Sequence, residues 1–416
     1  MELLRKYRQI IENFFSLSIL NGLNVLLPLV TLPYILRVIG AEKYGMYAYV
    51  YVVIQYIILI ATYGFNFSAT KQISQSRDDV DYVNKVYNAV TLSKLLIAII
   101  VSAVVFALSK FIFKSEIETM MFLLGLGMVF GDIFTPIWLF QGMEKMKYIT
   151  IVNAVSKILF TILVFIVIKS ADDFYLLILL NSIGYLMAGL LSVILANKQF
   201  NLRLRFAPIK DVCYQLKDGA AVFGSTLGMN LYRNANILIL KQFVPDAVVG
   251  IYAAAEKVVK GFQSLINPAA QALFPHFSLQ FKEKNNRERV ALLKRVTLPF
   301  AGIVAGVAAL VFLFAPQITK ILCGAEFFDS VVLVRWMVAV IFFGEINYMI
   351  GIVGLINMNR KTYFFIAVLI TGVFSVAFLL LTVQNYGALA AAWTMSLSEI
   401  LLCILCLLGF YKIKER

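Results

Sequence analysis

Three charged residues lie close together inside an otherwise apolar stretch of the sequence. Residues 248–275 are long enough to cross a bilayer, yet they contain Glu256, Lys257 and Lys260. A charge near the middle of a membrane costs about 2.5 to 3.5 kcal/mol on insertion scales, unless it faces a polar interior. Glu256 and Lys260 stand four residues apart, in the order that favours a helical ion pair. The stretch therefore predicts one wall of a charged compartment inside a membrane protein.

Other basic and amide residues fall within apolar runs. Lys94 and Lys157 lie about ten residues, or roughly 15 Å, from the predicted ends of their helices, which places them near the membrane midplane. Arg233 shares a predicted helical face with Asn230 and Asn234. Because ammonium and guanidinium groups suit phosphate oxygens, this set predicts binding of an anionic substrate. Its members are Arg233, Lys260, Lys257, Lys94, Lys157, Arg37, Asn230 and Asn234.

Four acidic residues are also predicted to lie at membrane depth. They are Asp132, Glu256, Glu345 and Glu399. Intramembrane carboxylates occur in proton relays and ion pathways, so these residues are candidates for coupling transport to an ion. The alternative is structural: the same carboxylates would pair internally with buried lysines, as Glu256 would with Lys260.

The composition defines the broad class of protein. The chain has 416 residues, of which 61% are hydrophobic and only 14% charged, whereas a soluble protein has about 25% charged residues. The apolar runs are continuous over about twenty residues, as in membrane helices, and lack the short alternating segments of a membrane β-barrel. The sequence therefore predicts an all-α polytopic membrane protein.

Hydropathy and the breaks between apolar runs predict about twelve transmembrane helices. Their approximate limits are 14–36, 45–66, 88–109, 119–140, 149–168, 174–196, 218–240, 248–275, 297–318, 331–356, 362–383 and 388–411. Proline residues at 28, 33 and 268 are expected to kink the first and eighth of these helices.

The distribution of lysine and arginine predicts the orientation. With the N-terminus in the cytoplasm, 24 of the 37 basic residues fall in cytoplasmic segments and seven in external ones. This bias favours an even number of helices with both termini cytoplasmic. It also accounts for the net charge of +14, so no nucleic-acid partner is needed.

A faint repeat divides the chain into halves. Gly45-Met46-Tyr47-Ala48 opens the second predicted helix, and Gly250-Ile251-Tyr252-Ala253 opens the eighth, 205 positions later. Six helices in each half, starting in the same orientation, predict two parallel lobes, 1–205 and 206–416, around a central cavity.

The sequence contains no arrangement of residues that indicates catalysis or a cofactor. It has no phosphate-binding or dinucleotide-binding glycine loop. A single histidine and four cysteines do not form a metal-binding pattern. We therefore expect a protein that is not an enzyme and that has no cofactor and no metal.

Several short motifs resemble a known family. Leu32-Pro33-Tyr34, Arg37-Val38-Ile39-Gly40, Tyr44-Gly45-Met46-Tyr47, the segment Trp138 to Met146 and the Gly250-Ile251-Tyr252 turn are similar to those of lipid-linked O-antigen flippases of the Wzx type. These flippases form part of the polysaccharide-transporter branch of the multidrug/oligosaccharidyl-lipid/polysaccharide exporter superfamily. The similarity extends over essentially the whole chain.

The resemblance implies a substrate and a location. Such proteins move an undecaprenyl-diphosphate-linked oligosaccharide from the cytoplasmic to the periplasmic leaflet of the bacterial inner membrane, in lipopolysaccharide biosynthesis. A polysaccharide polymerase and a chain-length regulator are the implied protein partners. Two alternatives remain: a cation-coupled multidrug exporter of the same superfamily, and a membrane-embedded polysaccharide polymerase or ligase. The buried basic residues favour the flippase over the exporter, and short predicted external loops argue against the polymerase.

Overall fold

Helices make up nearly all of the chain in the computed structural model. The structure describes residues 2–281 and 284–414; within these ranges it leaves undescribed the side chains of 2–18, 21, 25, 221, 225–233, 272, 274–276, 278–279 and 411–414. No β-strand occurs in the described part. The prediction of an all-α protein is confirmed.

Fifteen α-helices follow one another in the described residues. They are α1 Glu2–Thr62, α2 Phe65–Gln75, α3 Val80–Ala107, α4 Ser109–Ile112, α5 Glu116–Ile133, α6 Ile137–Gly142, α7 Met146–Val167, α8 Leu176–Phe200, α9 Ile209–Phe243, α10 Asp246–Gln280, α11 Asn286–Leu313, α12 Ala315–Leu322, α13 Ser330–Asn347, α14 Lys361–Tyr386 and α15 Ala388–Lys414. Short 3-10 helices precede α8 and α13, and a π-helix, Tyr348–Ile356, continues α13.

Nine helical segments of the described chain are long and apolar enough to cross a membrane. Eight coincide with one predicted helix each, and the segment Gly22–Gln75 contains the first two. The remaining predicted helices lie in α9 and α10, which are 35 residues long but are not among the nine. In α10 the charges at 256, 257 and 260 lower the hydropathy.

The break between the first two predicted helices lies at Gly40. This residue has φ 72° and ψ 175°, inside an otherwise continuous α1. Positive φ values are readily adopted only by glycine, so the sequence permits the chain to bend here. The break therefore occurs at Gly40, and Pro28 and Pro33 lie within the helical part of α1.

The chain forms two compact units. Unit 1 contains Met1–Thr31 and Tyr49–Leu227, and unit 2 contains Leu32–Ala48 and Gly228–Arg416. The segment Leu32–Ala48 therefore packs with residues that follow it by about two hundred positions. The division into lobes predicted at residue 205 stays a prediction.

In unit 1, small residues bring α5 and α8 together. A Cβ atom on Gly131 would lie 2.3 Å from the Tyr185 carbonyl oxygen, so only glycine allows this approach. Next to it, the Ser182 hydroxyl donates to the Leu124 carbonyl at 2.7 Å. A second cluster surrounds Trp138, which is 1% exposed, and includes Tyr87 and Phe65.

In unit 2, the two glycines of the sequence repeat pack directly against each other. A Cβ atom on Gly45 would lie 2.0 Å from the Asp246 carbonyl oxygen, and one on Gly250 would lie 1.9 Å from the Ala41 carbonyl oxygen. Each glycine thus meets the carbonyl four positions before its counterpart. Asp246 lies 205 positions after Ala41, as Gly250 does after Gly45, so the two close contacts are equivalent within the predicted repeat.

Candidate functional site

A buried ion pair joins α3 and α5 in unit 1. The Lys94 ammonium donates to the Asp132 carboxylate (Oδ2) at 2.8 Å and to the Asp132 carbonyl oxygen at 2.8 Å. The Lys94 side chain is 3% exposed and that of Asp132 20%. Both residues were predicted to lie at membrane depth, one in the anion-binding set and one in the ion-coupling set. The structure brings them together.

Two further candidate cations bind groups on other segments. The Lys157 ammonium on α7 donates to the side-chain amide oxygen of Asn24 on α1. In unit 2, Arg37 donates through Nη2 to the Ile321 carbonyl oxygen at 2.6 Å, at the end of α12. Arg37 therefore binds the main chain near the end of α12. Its predicted role in substrate binding stays a prediction.

The charged stretch of α10 forms a small cluster in unit 2. Lys260 Nζ lies 2.8 Å from the Glu256 carboxylate, and the side chains are 36% and 8% exposed. The same ammonium donates to the Asn234 amide oxygen on α9 at 3.1 Å. The predicted helical ion pair is confirmed, and Asn234 joins it from a second helix.

Three further members of the anion-binding set lie on the same two helices, α9 and α10. Lys257 is exposed on the surface of α10. The side chains of Arg233 and Asn230 lie outside the described residues, so their predicted roles stay predictions. In this conformation Lys94 and Lys260 each face a carboxylate, which balances their charge locally.

A second polar centre in unit 2 is built from α13 and α15. Glu399 is 5% exposed and Glu345 is fully buried. The Asn347 side-chain amide donates to the Glu399 carboxylate at 2.7 Å and to the Glu399 carbonyl at 2.8 Å. Gln263 from α10 reaches the same region, because its amide nitrogen would lie 2.3 Å from a Cβ atom on Gly344.

The helix is irregular directly after this centre. The π-helix Tyr348–Ile356 follows Asn347 without a break, and π-helical turns are frequent at functional sites. Sequence reasoning identified the two glutamates but missed Asn347 and Gln263. The available signal was an amide side chain within an apolar run, which in a membrane protein usually faces a polar partner.

We expect the Asn347→Leu substitution to destabilise unit 2. It removes one hydrogen bond to the Glu399 carboxylate and one to the Glu399 carbonyl oxygen, and a bond to a charged group contributes about 1.5 to 3 kcal/mol. A melting temperature measured in detergent should fall by several degrees. Thr371→Val is the control, since it removes only a bond from the fully buried Thr371 hydroxyl to the Ala367 carbonyl of its own helix, at 2.9 Å. Equal shifts for both variants would contradict the role given to Asn347.

The site contains no recognisable metal centre within the described residues. No group of three or more His, Cys, Asp or Glu side chains there could hold a metal ion. Cys213 is exposed, whereas Cys323, Cys403 and Cys406 are buried, and all four are free thiols. The charged side chains described above form ion pairs, Lys94 with Asp132 and Lys260 with Glu256.

The fold is that of a class of helical membrane transporters. A multidrug resistance MATE family transporter of the MOP superfamily, in an inward-facing conformation, matches with a TM-score of 0.73 at 14% identity, over 94% of this chain and 96% of the other. The lipid II flippase MurJ, in an inward closed conformation, matches with a TM-score of 0.72 at 15% identity, over 98% and 90%. At these identities the likeness shows the fold alone.

The sequence itself shows the family. The model of the polysaccharide biosynthesis protein family matches residues 10–281, and the chain belongs to that family. A protein of Escherichia coli (strain K12) named as an O-antigen transporter is 26% identical over 398 residues, which is 95% of each chain.

Proposed function

We propose that this protein is a flippase for lipid-linked polysaccharide units. It moves an undecaprenyl-diphosphate-linked O-antigen repeat unit, or that of a related surface polysaccharide, from the cytoplasmic to the periplasmic leaflet of the bacterial inner membrane. Family membership and the transporter name of the Escherichia coli relative support this function. The basic bias of one set of loops supports cytoplasmic termini.

The observation that carries the proposal is the Lys260 cluster. Lys260 is held by Glu256 and Asn234 near the centre of α10, and its side chain is 36% exposed. An ammonium that is only partly shielded can exchange a carboxylate oxygen for a phosphate oxygen. The diphosphate of the substrate therefore binds Lys260 in place of Glu256, while the polyprenyl chain stays in lipid.

This exchange gives a route for ion coupling. Intramembrane carboxylates occur in ion pathways, and this exchange separates the Glu256 carboxylate from Lys260. Glu256 is therefore the first candidate for coupling transport to an ion. Asp132, which lies beside Lys94, is the second.

Alternating access of the binding site to the two leaflets completes the proposed mechanism. The membrane potential favours outward movement of an anion, by about 2.3 kcal/mol per charge for each 100 mV. Flux of a lipid-linked saccharide in vesicles should therefore respond to the potential and to a pH gradient. Flux that depended on neither the potential nor the pH gradient would contradict the proposal that these gradients drive transport.

We expect Lys260→Gln to trap the substrate in the cytoplasmic leaflet. Loss of a charge-assisted contact to a diphosphate costs about 1.5 to 3 kcal/mol, which lowers affinity by about ten- to a hundredfold. The measurement is the sidedness of the lipid-linked saccharide in membrane vesicles. Lys294→Gln, which removes an exposed charge from α11, is the matched control. Normal sidedness in the Lys260 variant would contradict the proposal.

A multidrug exporter remains the second candidate, because the MATE transporter shares the fold and because Glu345 and Glu399 are buried acids suited to a cationic drug. Drug-efflux assays in cells distinguish the exporter, since a flippase gives no efflux.

A polymerase or ligase is distinguished by deleting the gene for this protein. Loss of a flippase leaves single repeat units inside the cell, whereas loss of a polymerase leaves single units displayed outside. A polymerase and a chain-length regulator are the proposed partners of the flippase.

A further inference from the structure

The segment between α8 and α9 is held in an extended conformation against α3. The Asn88 side-chain amide donates to the Arg203 carbonyl at 3.0 Å, and its oxygen accepts from the Arg205 amide at 2.6 Å. Asn84, one turn earlier, accepts from the Arg203 amide at 3.0 Å. The two asparagine side chains thus form the hydrogen bonds with the extended backbone that a neighbouring strand would otherwise form.

These contacts place the segment beside the first turns of a candidate membrane span. Val80–Ala107 is a membrane-spanning candidate, and Asn84 and Asn88 lie about 6 and 12 Å from its start. The preceding candidate, Ala171–Phe200, ends one residue before the segment begins. The segment therefore adjoins the end of one candidate span and the first turns of another.

Its exposed side chains combine large apolar groups with basic ones. Phe206 is 96% exposed and Leu204 is 45% exposed. In the first turns of α9 one face is exposed, at positions four apart: Ile209, Cys213 and Lys217, flanked by Lys210 and Tyr214. Arg203 and Arg205 are exposed as well. A face with aromatic and aliphatic groups beside lysines is typical of helices that lie in a membrane interface.

The charge of this surface is one-sided. Its acid Asp211 pairs with Lys85 at 3.0 Å, and Asp218, which follows it on α9, accepts from the Gln72 amide at 2.9 Å. Four basic side chains, at 203, 205, 210 and 217, remain exposed. Clusters of basic residues next to a transmembrane helix attract anionic lipid headgroups.

We propose that residues 203–217 form an anionic-lipid binding surface that rests on the membrane interface. The four basic side chains bind lipid phosphates, and Phe206, Leu204 and Ile209 insert among the acyl chains. The occupant is the lipid surface itself, because the segment adjoins the ends of two candidate membrane spans and its exposed charged side chains are basic. This binding is separate from the proposed transport of substrate.

The exposed cysteine offers a direct test. Cys213 lies on this face and is exposed, whereas the other three cysteines are buried. Burial raises the pKa of the Cys323 thiol to about 12, which slows its reaction with thiol reagents. A fluorescent probe can therefore be placed on Cys213 of the full chain and its quenching measured in vesicles, by aqueous iodide and by brominated lipid.

We expect strong quenching by brominated lipid in vesicles that contain phosphatidylglycerol. The affinity of the surface for this anionic lipid should fall about fivefold for each basic residue removed. The variant R203Q/R205Q/K210Q/K217Q should lose the preference for anionic lipid. K145Q/K147Q/K294Q/R295Q, which removes four exposed charges elsewhere, should keep it. Strong quenching by iodide together with weak quenching by brominated lipid, in vesicles that contain phosphatidylglycerol, would overturn the proposal and favour a soluble partner. Equal engagement of neutral phosphatidylcholine would overturn the role of charge.

Discussion

Substitution of Gly250 by alanine is expected to destabilise unit 2 more than any other single methyl group added to α10. The new Cβ atom would lie 1.9 Å from the Ala41 carbonyl oxygen, 2.9 Å from the Ala41 carbonyl carbon and 3.0 Å from the Gly45 amide nitrogen. All three are backbone atoms of α1, so no side chain can rotate away. The helices must move apart, and overpacking of this kind costs about 1 to 3 kcal/mol or more.

The measurement is the melting temperature of the purified protein in detergent, together with the sidedness assay. Gly261→Ala is the matched control, because it lies in the same helix and nothing lies within 4 Å of its Cβ position. That substitution should be neutral or slightly stabilising, since alanine is the better helix former. Gly45→Ala should reproduce the Gly250 effect, because its Cβ atom would lie 2.0 Å from the Asp246 carbonyl oxygen. Similar stability of the Gly250 and Gly261 variants would show that the crossing is not close-packed.

Substitution of Lys94 by methionine is expected to produce the second large effect. It leaves the Asp132 carboxylate without the ammonium 2.8 Å away. Breaking a buried ion pair by removing one partner costs about 3 to 5 kcal/mol, and the partial exposure of Asp132 places this case near the lower end. The double variant K94M/D132N should recover most of the loss, because no charge then remains buried. Thermal unfolding of the unsubstituted protein, K94M, D132N and K94M/D132N forms a double-mutant cycle, which measures the coupling free energy between the two side chains.

The Arg77 and Glu144 pair provides the comparison for that cycle. These groups lie 2.7 Å apart, but their side chains are 34% and 47% exposed. Exposed pairs contribute about 0 to 1 kcal/mol, so Arg77→Met should change the melting temperature little. If Lys94→Met and Arg77→Met lowered the melting temperature equally, burial would not be the reason for the strength of the Lys94–Asp132 pair.

Transport separates two roles for the Lys94 pair. If the pair is only structural, K94M/D132N restores both stability and sidedness. If Asp132 exchanges a proton during the cycle, the double variant restores stability while transport loses its response to a pH gradient. The two readouts together therefore distinguish an internal brace from an ion-coupling site.

Much of the fold could be predicted because membranes impose strong local rules. Backbone groups in hydrocarbon must be bonded within their own segment, so long apolar runs predicted the helices directly. The Glu256–Lys260 pair was also predictable, since both residues lie on one helix and spacing alone decides their contact. Membership of the polysaccharide biosynthesis protein family agrees with the resemblance carried by the short motifs.

Contacts between distant segments could not be predicted in the same way. Lys94 and Asp132 are 38 positions apart, and nothing in their local sequence selects one partner over another. The hydrogen bond from Arg37 to the Ile321 carbonyl spans 284 positions and was not anticipated either; the predicted role of Arg37 in substrate binding stays a prediction. The Asn347–Glu399 contact spans 52 positions and was not anticipated, because an isolated amide in an apolar run does not identify its partner.

The sequence by itself determined that this chain is a bundle of membrane helices with charges at depth and two glycine turns 205 positions apart. These properties follow from hydropathy and from spacing along single helices, which are local. Only the tertiary structure decided which charges neutralise one another and that Gly45 and Gly250 meet at one crossing. Such pairings depend on how helices pack side by side, and packing is selected by the shapes of whole surfaces rather than by any one segment.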